Sequence, residues 1–161
     1  MANILWDASG LAKRYTEEAG RTTVNAIFAA VSSRSVVITA WGYAETYYIL
    51  LRKRNSGILD ATSFAASLNA LRTEVILAPD FEVLAIDNAL IFSSLSLMQA
   101  CNINSADAAI LATYLRFQGA TLKPCLLIAS DKRLNRAAEA EGLKSLNPEE
   151  VAAGDIPGWV S

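Results

Sequence analysis

Histidine is absent from the 161-residue chain. That excludes Ser-His-Asp and Cys-His relays, imidazole acid–base chemistry and any histidine-ligated zinc. Cysteine is nearly as scarce. Cys101 and Cys125 are too few for a structural zinc site or a disulfide framework, and a reducing, cytoplasmic setting is the simplest expectation. No excess of positive charge is present either: 14 Lys and Arg stand against 16 Asp and Glu, a formal charge of −2. Contact with a nucleic acid therefore requires a local basic rim or a metal ion. A bilayer takes about 20 apolar residues to cross. Residues 41–51 are too few, and residues 83–101 are interrupted by Asp87, Asn88, serines and Gln99. Asp7 falls too early for the apolar stretch of a signal peptide, so a soluble protein is expected. No repeat, low-complexity tract or Pro/Gly/Ser linker divides the sequence, and a single domain over residues 1–161 is the expectation.

What the chain does have is material for a core, with 53% hydrophobic residues. Short apolar runs alternate with longer helical ones, which is the α/β signature. Strands are expected at residues 4–6, 36–39, 75–77 and 126–129, with a last edge strand at 143–146. Helices are expected at 9–15, 22–32, 41–54, from a cap at Asp60 to 72, over 81–101, from Asn104-Ser105 to 118, and over 131–141, where Gly142 ends the last one. Apolar strands separated by helices imply a mainly parallel sheet covered on both faces.

In such a sheet, function collects beyond the carboxyl ends of the strands. Asp7 ends the first strand, and Asp131 follows the 126–129 strand after Ser130. Each also reads as an N-cap. Asp107, in the first turn of its helix, also reads as a favourable charge–dipole contact. Glu45 lies in a helix that is apolar on almost every side (Trp41, Tyr43, Tyr47, Tyr48, Ile49, Leu50, Leu51), which suggests burial on several faces. A buried carboxylate needs a partner or a metal, and the plain alternative is an ion pair with Arg14 or Arg116. If these four acids converge, like charges ~4 Å apart repel by on the order of 4 kcal/mol at an effective dielectric near 20. Proton uptake or a divalent cation relieves that repulsion. Hard oxygen ligands without histidine select Mg²⁺ or Mn²⁺, and such ions support phosphodiester hydrolysis. Lys13 and Arg14 follow Asp7, Arg52, Lys53 and Arg54 end the Glu45 helix, and Lys132, Arg133 and Arg136 follow Asp131. A cationic rim of this kind could hold an RNA or DNA backbone over the pit, the plain alternative being ordinary helix-surface charge.

Four segments together resemble the PIN-domain family, and within it the VapC-type toxins of toxin–antitoxin pairs. They are Ile4-Leu5-Trp6-Asp7-Ala8-Ser9-Gly10-Leu11-Ala12-Lys13-Arg14-Tyr15, Ala44-Glu45, Ser105-Ala106-Asp107-Ala108-Ala109-Ile110-Leu111-Ala112-Thr113, and Ile128-Ala129-Ser130-Asp131-Lys132-Arg133-Leu134. The resemblance implies a three-layer α/β/α fold around a parallel sheet of four or five strands. It implies Mg²⁺- or Mn²⁺-dependent RNA cleavage with Asp7, Glu45, Asp107 and Asp131 as the acidic quartet. It gives Ser9 and Ser130 the role of hydrogen-bonding behind the acids, and it implies a homodimer silenced by a cognate antitoxin. Lys132 and Arg133 stand where many relatives carry a further acid, and Ile110 stands where many carry histidine.

Two rival readings follow from the same residues. One is a non-catalytic module of this fold that docks a basic partner segment in its acidic pit. The other is phosphoryl transfer through an aspartyl phosphate on Asp7, which fits poorly because Ser9 stands where haloacid-dehalogenase-like enzymes place a second Asp.

Overall fold

Strand β1 (Asn3–Trp6) is buried along its whole length, and its side chains part to opposite faces. Ile4 and Trp6 join one apolar cluster, and Leu5 joins another. The same alternation splits β2 (Val36–Thr39), where Val36 and Ile38 face one way and Val37 the other. It also splits β4 (Cys125–Ile128), with Leu126 and Ile128 opposed to Cys125 and Leu127. A strand apolar on both faces needs helices on both, so the chain forms three layers.

The computed structural model describes residues 1–161, the side chain of Ser33 excepted. The sheet has the order β3-β2-β1-β4-β5, where β3 is Glu82–Leu84 and β5 is Lys144–Leu146, and all neighbours are parallel. Leu5 lies opposite Val37 on one side and Leu127 on the other. The chain builds outward from β1 to β3, then returns to lay β4 on the other side of β1. The carboxyl ends of β1 and β4 therefore flank the point where strand order reverses, which is where such sheets bind ligands.

One face is covered by α1 (Ala8–Leu11, continued by a tighter helical turn Ala12–Tyr15), α2 (Arg21–Ala30), α3 (Ala40–Asn55) and α4 (Ala61–Leu71). Leu11, Val24, Ile27, Leu50 and Leu71 seal it. The other carries α5 (Asn88–Ser93), α6 (Leu95–Cys101), α7 (Ser105–Ala120) and α8 (Lys132–Ala140), through Leu90, Ile110, Leu111, Tyr114 and Leu134. A terminal helix α9 (Ile156–Val160) closes the first face with Ile156 and Val160. Among the described residues no helix is long and apolar enough to cross a membrane.

Several expectations need correction. Residues 75–77 are not a strand. Leu71 and Val75, four apart, are both buried, so α4 runs on into a wider helical turn, Arg72–Ile76, while Ile76 and Leu77 face solvent. The outer strand is β3, further on, within the stretch expected as one helix over 81–101. That stretch divides because the Asp87 carboxylate caps α5, accepting from the Leu90 N–H at 2.8 Å. α3 is not buried on several faces: Gly42, Thr46 and Leu50 form its inward stripe, while Trp41, Tyr47 and Tyr48 are exposed. Asp60 caps α4 as expected, through the Ser63 N–H at 2.7 Å. Asp80, ahead of β3, pairs with Arg34 at 3.4 Å. The 131–141 and 104–118 helices form close to the expected limits.

Close packing at the centre fixes the first site turn. A Cβ on Gly10 would lie 2.5 Å from the Ile128 carbonyl oxygen, so only glycine lets α1 sit this near β4.

Candidate active site

Asp7 follows β1 directly and is buried. Its Oδ2 accepts from the Ser9 backbone N–H at 2.9 Å, and the Ser9 hydroxyl donates to the same oxygen. Ser9 Oγ in turn accepts from the Ser130 N–H at 2.9 Å, and the Asp7 N–H donates to the Ile128 carbonyl at 3.0 Å. Ser9 thus ties the β1–α1 turn to the turn after β4. From the opposite layer the buried Tyr114 hydroxyl donates to the Trp6 carbonyl at 2.5 Å, clamping the peptide just ahead of Asp7. Tyr114 is not among the candidate residues that the sequence singles out. Its signal was an aromatic hydroxyl within a helix face otherwise made of Ala, Ile and Leu, because a buried hydroxyl must find a partner.

Two of the acids cap helices, and a third lies in a helix's first turn, as the plain readings expect. Asp7 caps α1 through Ser9. Asp131 caps α8, its Oδ1 accepting from the N–H groups of Arg133 at 2.7 Å and Leu134 at 3.1 Å. Asp107 lies one turn into α7 and accepts from the Asn104 side-chain amide at 2.7 Å through Oδ2, while Asn104 itself caps the helix by accepting from the Asp107 N–H at 2.9 Å. In Asp107 and Asp131 these hydrogen bonds engage one carboxylate oxygen each. Glu45 lies half-buried on α3, with the indole N–H of Trp41 donating toward its carboxylate. Neither expected arginine reaches it: Arg14 binds Glu74, and Arg116 pairs with Asp87 at 3.4 Å.

These acids feel one another. Burial raises the Asp107 carboxyl, and the charges of Asp7, Asp131 and Glu45 push it further, to about 6. Burial also raises Asp7 against the opposing Ser9 hydrogen bonds, with Asp131 adding to the rise. Glu45 is raised by burial and then by the charge of Asp7. Segments from residue 7 to residue 131 therefore meet electrostatically at one end of the sheet. As the side chains stand, no group of three or more acids, cysteines or histidines among the described residues is close enough to hold an ion jointly.

The donor set nonetheless suits Mg²⁺ or Mn²⁺. Every donor is a hard oxygen, and Mg²⁺ keeps several waters while taking one or two carboxylates, so the acids need not all meet at one point. The repulsion that lifts Asp107 is what a divalent charge relieves. Ser130 Oγ is buried beside Asp131 without a hydrogen-bond partner among the described residues, a further hard oxygen with unused capacity.

The basic residues divide sharply. Lys13 is not part of a rim. It is buried, its Nζ lying 2.6 Å from Glu149 and 3.3 Å from Glu18. Arg14 is also held internally, by both oxygens of Glu74 at 3.0 and 3.2 Å, by Asn25 at 2.7 Å and by the face of Phe28 at 4.6 Å. The physical reason is that α1 packs with its Lys-Arg end against α2 and α4, so these stems cover apolar surface and their heads find carboxylates. Lys53 is drawn to Glu18 at 3.0 Å and Lys132 to Glu150 at 2.9 Å. Arg52 and Arg133 remain exposed, and Arg133 and Arg136 line a cleft of about 300 Å³ between the end of α6 and α8.

Comparison with known proteins agrees with this architecture. FitAcB from Neisseria gonorrhoeae is 19% identical with a TM-score of 0.61, the match covering 92% of this chain and 99% of that one. Mycobacterium tuberculosis VapC20, described as a sarcin-ricin loop cleaving toxin, is 19% identical with a TM-score of 0.64, over 90% of this chain and 99% of that one. The structure of FitAB bound to an IR36 DNA fragment matches with a TM-score of 0.67 at 16% identity, over 92% and 97% of the two chains. At these identities the likeness is one of fold. No curated protein matches the sequence. The PIN domain model matches residues 4–140, most of the chain, with all four acids inside the match, and the chain belongs to the PIN domain family.

Proposed function

We propose that this protein is a single-domain Mg²⁺- or Mn²⁺-dependent endoribonuclease that hydrolyses RNA phosphodiester bonds, and that it acts in the cytoplasm as the toxin of a toxin–antitoxin pair. The observation that carries the reading is the Asp107 carboxyl, lifted to about 6 by burial and by three other acids drawn from separate elements. Scaffold carboxylates are arranged to avoid such repulsion, whereas sites that bind cations or move protons gather it. The membership in the PIN family and the VapC20 likeness support a toxin nuclease.

Asp7, Glu45, Asp107 and Asp131 would hold the metal, directly or through water. When bound, a divalent ion lowers the pKa of a coordinated water and offsets charge on the phosphate oxygens. The remaining work falls to the chain. Ser9 fixes the Asp7 carboxylate and locks the β1 turn to the β4 turn. Glu45, half-buried with a raised pKa, is suited to accept a proton from the attacking water at its carboxylate. Arg52 and Arg133, exposed near the pit-bearing helices, are suited to phosphate contacts.

The likeness to FitAB and VapC20 also supports pairing with an antitoxin. An antitoxin cation entering the pit would satisfy the same carboxylates as a metal. A homodimer completes the proposal. Purified protein incubated with total RNA is expected to cleave it in Mg²⁺, to stop in EDTA and to resume on addition of Mn²⁺. Cleavage that persists in EDTA would contradict the metal-dependent reading.

A further inference from the structure

On α3, Trp41, Glu45, Tyr48 and Arg52 follow one another at steps of four, three and four residues. In an α-helix that spacing places them on a single stripe. The inward side of α3 is made by Gly42, Thr46 and Leu50, so the stripe faces away from the core. Trp41 is 55% exposed and Tyr48 57% exposed. Large aromatics so open to water, on a helix carrying one of the four pit acids between them, are not explained by packing.

We propose that Trp41 and Tyr48 form a stacking platform for the bases of single-stranded RNA on either side of Glu45, with Arg52 contacting the backbone beyond Tyr48. This rests on the nuclease reading above and specifies the form of its substrate. Trp41 and Tyr48 are about 10 Å apart along the axis, and Glu45 lies between them, so a strand lying along α3 brings an intervening phosphodiester to the acids. Aromatic platforms take any base because each has a π-face, but only where the base is unstacked. A duplex keeps its bases covered and cannot use them. Arg52 lies 5.8 Å from the Tyr48 ring centroid, near the outer limit of a cation–π contact of about 6 Å, so it is loosely held and free to meet a phosphate. The stripe carries a pit carboxylate between its two rings and ends in Arg52, which favours a polyanion carrying flat rings whose phosphodiester reaches the acids.

The test measures binding and cleavage separately. In an Asp7→Asn background, affinity for a fluorescent single-stranded oligoribonucleotide is compared with that for its duplex, with and without Trp41→Ala and Tyr48→Ala. Each substitution is expected to weaken single-strand binding by about 5- to 100-fold, with the duplex bound weakly and little changed. Trp41→Phe keeps a ring but loses the N–H facing Glu45, and is expected to retain most of the affinity. In the otherwise native chain, both alanine substitutions are expected to raise KM for single-stranded RNA more than they lower kcat. Unchanged single-strand affinity in the Trp41→Ala, Tyr48→Ala double variant overturns the platform and leaves the stripe as a protein-docking face. Equal loss on duplex and single strand also overturns it. If the native chain cleaves no RNA while the platform variants still lose single-strand binding, the nuclease reading fails and the platform stands.

Discussion

Asp7→Asn is expected to lower Mg²⁺-supported RNA cleavage by at least about 100-fold while leaving the fold intact. Asparagine has the shape of aspartate, and its side-chain oxygen can still accept from the Ser9 N–H and hydroxyl, the bonds that form the α1 cap and join the two turns. What it lacks is charge. Burial already disfavours the ionised form of Asp7, so removing that charge is not expected to lower the melting temperature. Loss of cleavage with a native circular dichroism spectrum and an unchanged or raised melting temperature is the predicted result. Near-native cleavage would remove Asp7 from the site, and a collapse of cooperative melting would give it a purely structural role.

The largest expected effect on stability lies at Lys13. Its ammonium is enclosed between Glu18 and Glu149 and joins segments 131 residues apart. Lys13→Ala removes the ion pairs and the packed stem together, leaving Glu149 without its partner. Breaking a buried pair costs about 3–5 kcal/mol, and the lower end applies here because both glutamates reach solvent. A loss of about 3 kcal/mol corresponds to a fall in melting temperature of roughly 6–12 °C for a chain of this size. Lys13→Met, which keeps the stem, should recover part of that loss. Arg133→Ala, at an exposed position, should stay within about 0.5 kcal/mol of the native chain. A Lys13→Ala variant that melts like the native protein but binds RNA more weakly would return Lys13 to the rim.

These two residues also show where a sequence is legible. Asp7 stands after a short apolar run and before a helix, and that local order is enough to place it at a strand's carboxyl end. The β-branched run at 36–39 and the apolar run at 126–129 were equally plain, because central parallel strands are buried on both faces and admit little else. β3 was hidden by being an edge strand. Glu82 and Val83 are exposed and Leu84 only half-buried, so its pattern lacks the continuous apolar signal, while Val75-Ile76-Leu77 has that signal but sits in register with Leu71 on a helix. Lys13 and Arg14 could not be told from surface cations, since the carboxylates that claim them, Glu149 and Glu74, lie far away in the chain. The apolar content of α3 pointed to burial, but much of that content is turned outward, and its meaning depends on what Glu45 adjoins. Three of the four candidate acids occupy helix starts or strand ends, where position alone restricts direction, and that is why a local pattern singles them out. That they act on one another is a property of the sheet order, which no local pattern contains.

The central claim is that these carboxylates form one cation-binding pit. Calorimetric titration of the native chain with Mn²⁺ tests it most directly. Saturable binding is predicted at pH 7, lost in Asp107→Asn, and weakening as the pH falls through about 6, where the Asp107 carboxyl takes up a proton that competes with the ion. No saturable binding at pH 7, or binding that is indifferent both to Asp107→Asn and to the fall in pH, would contradict it.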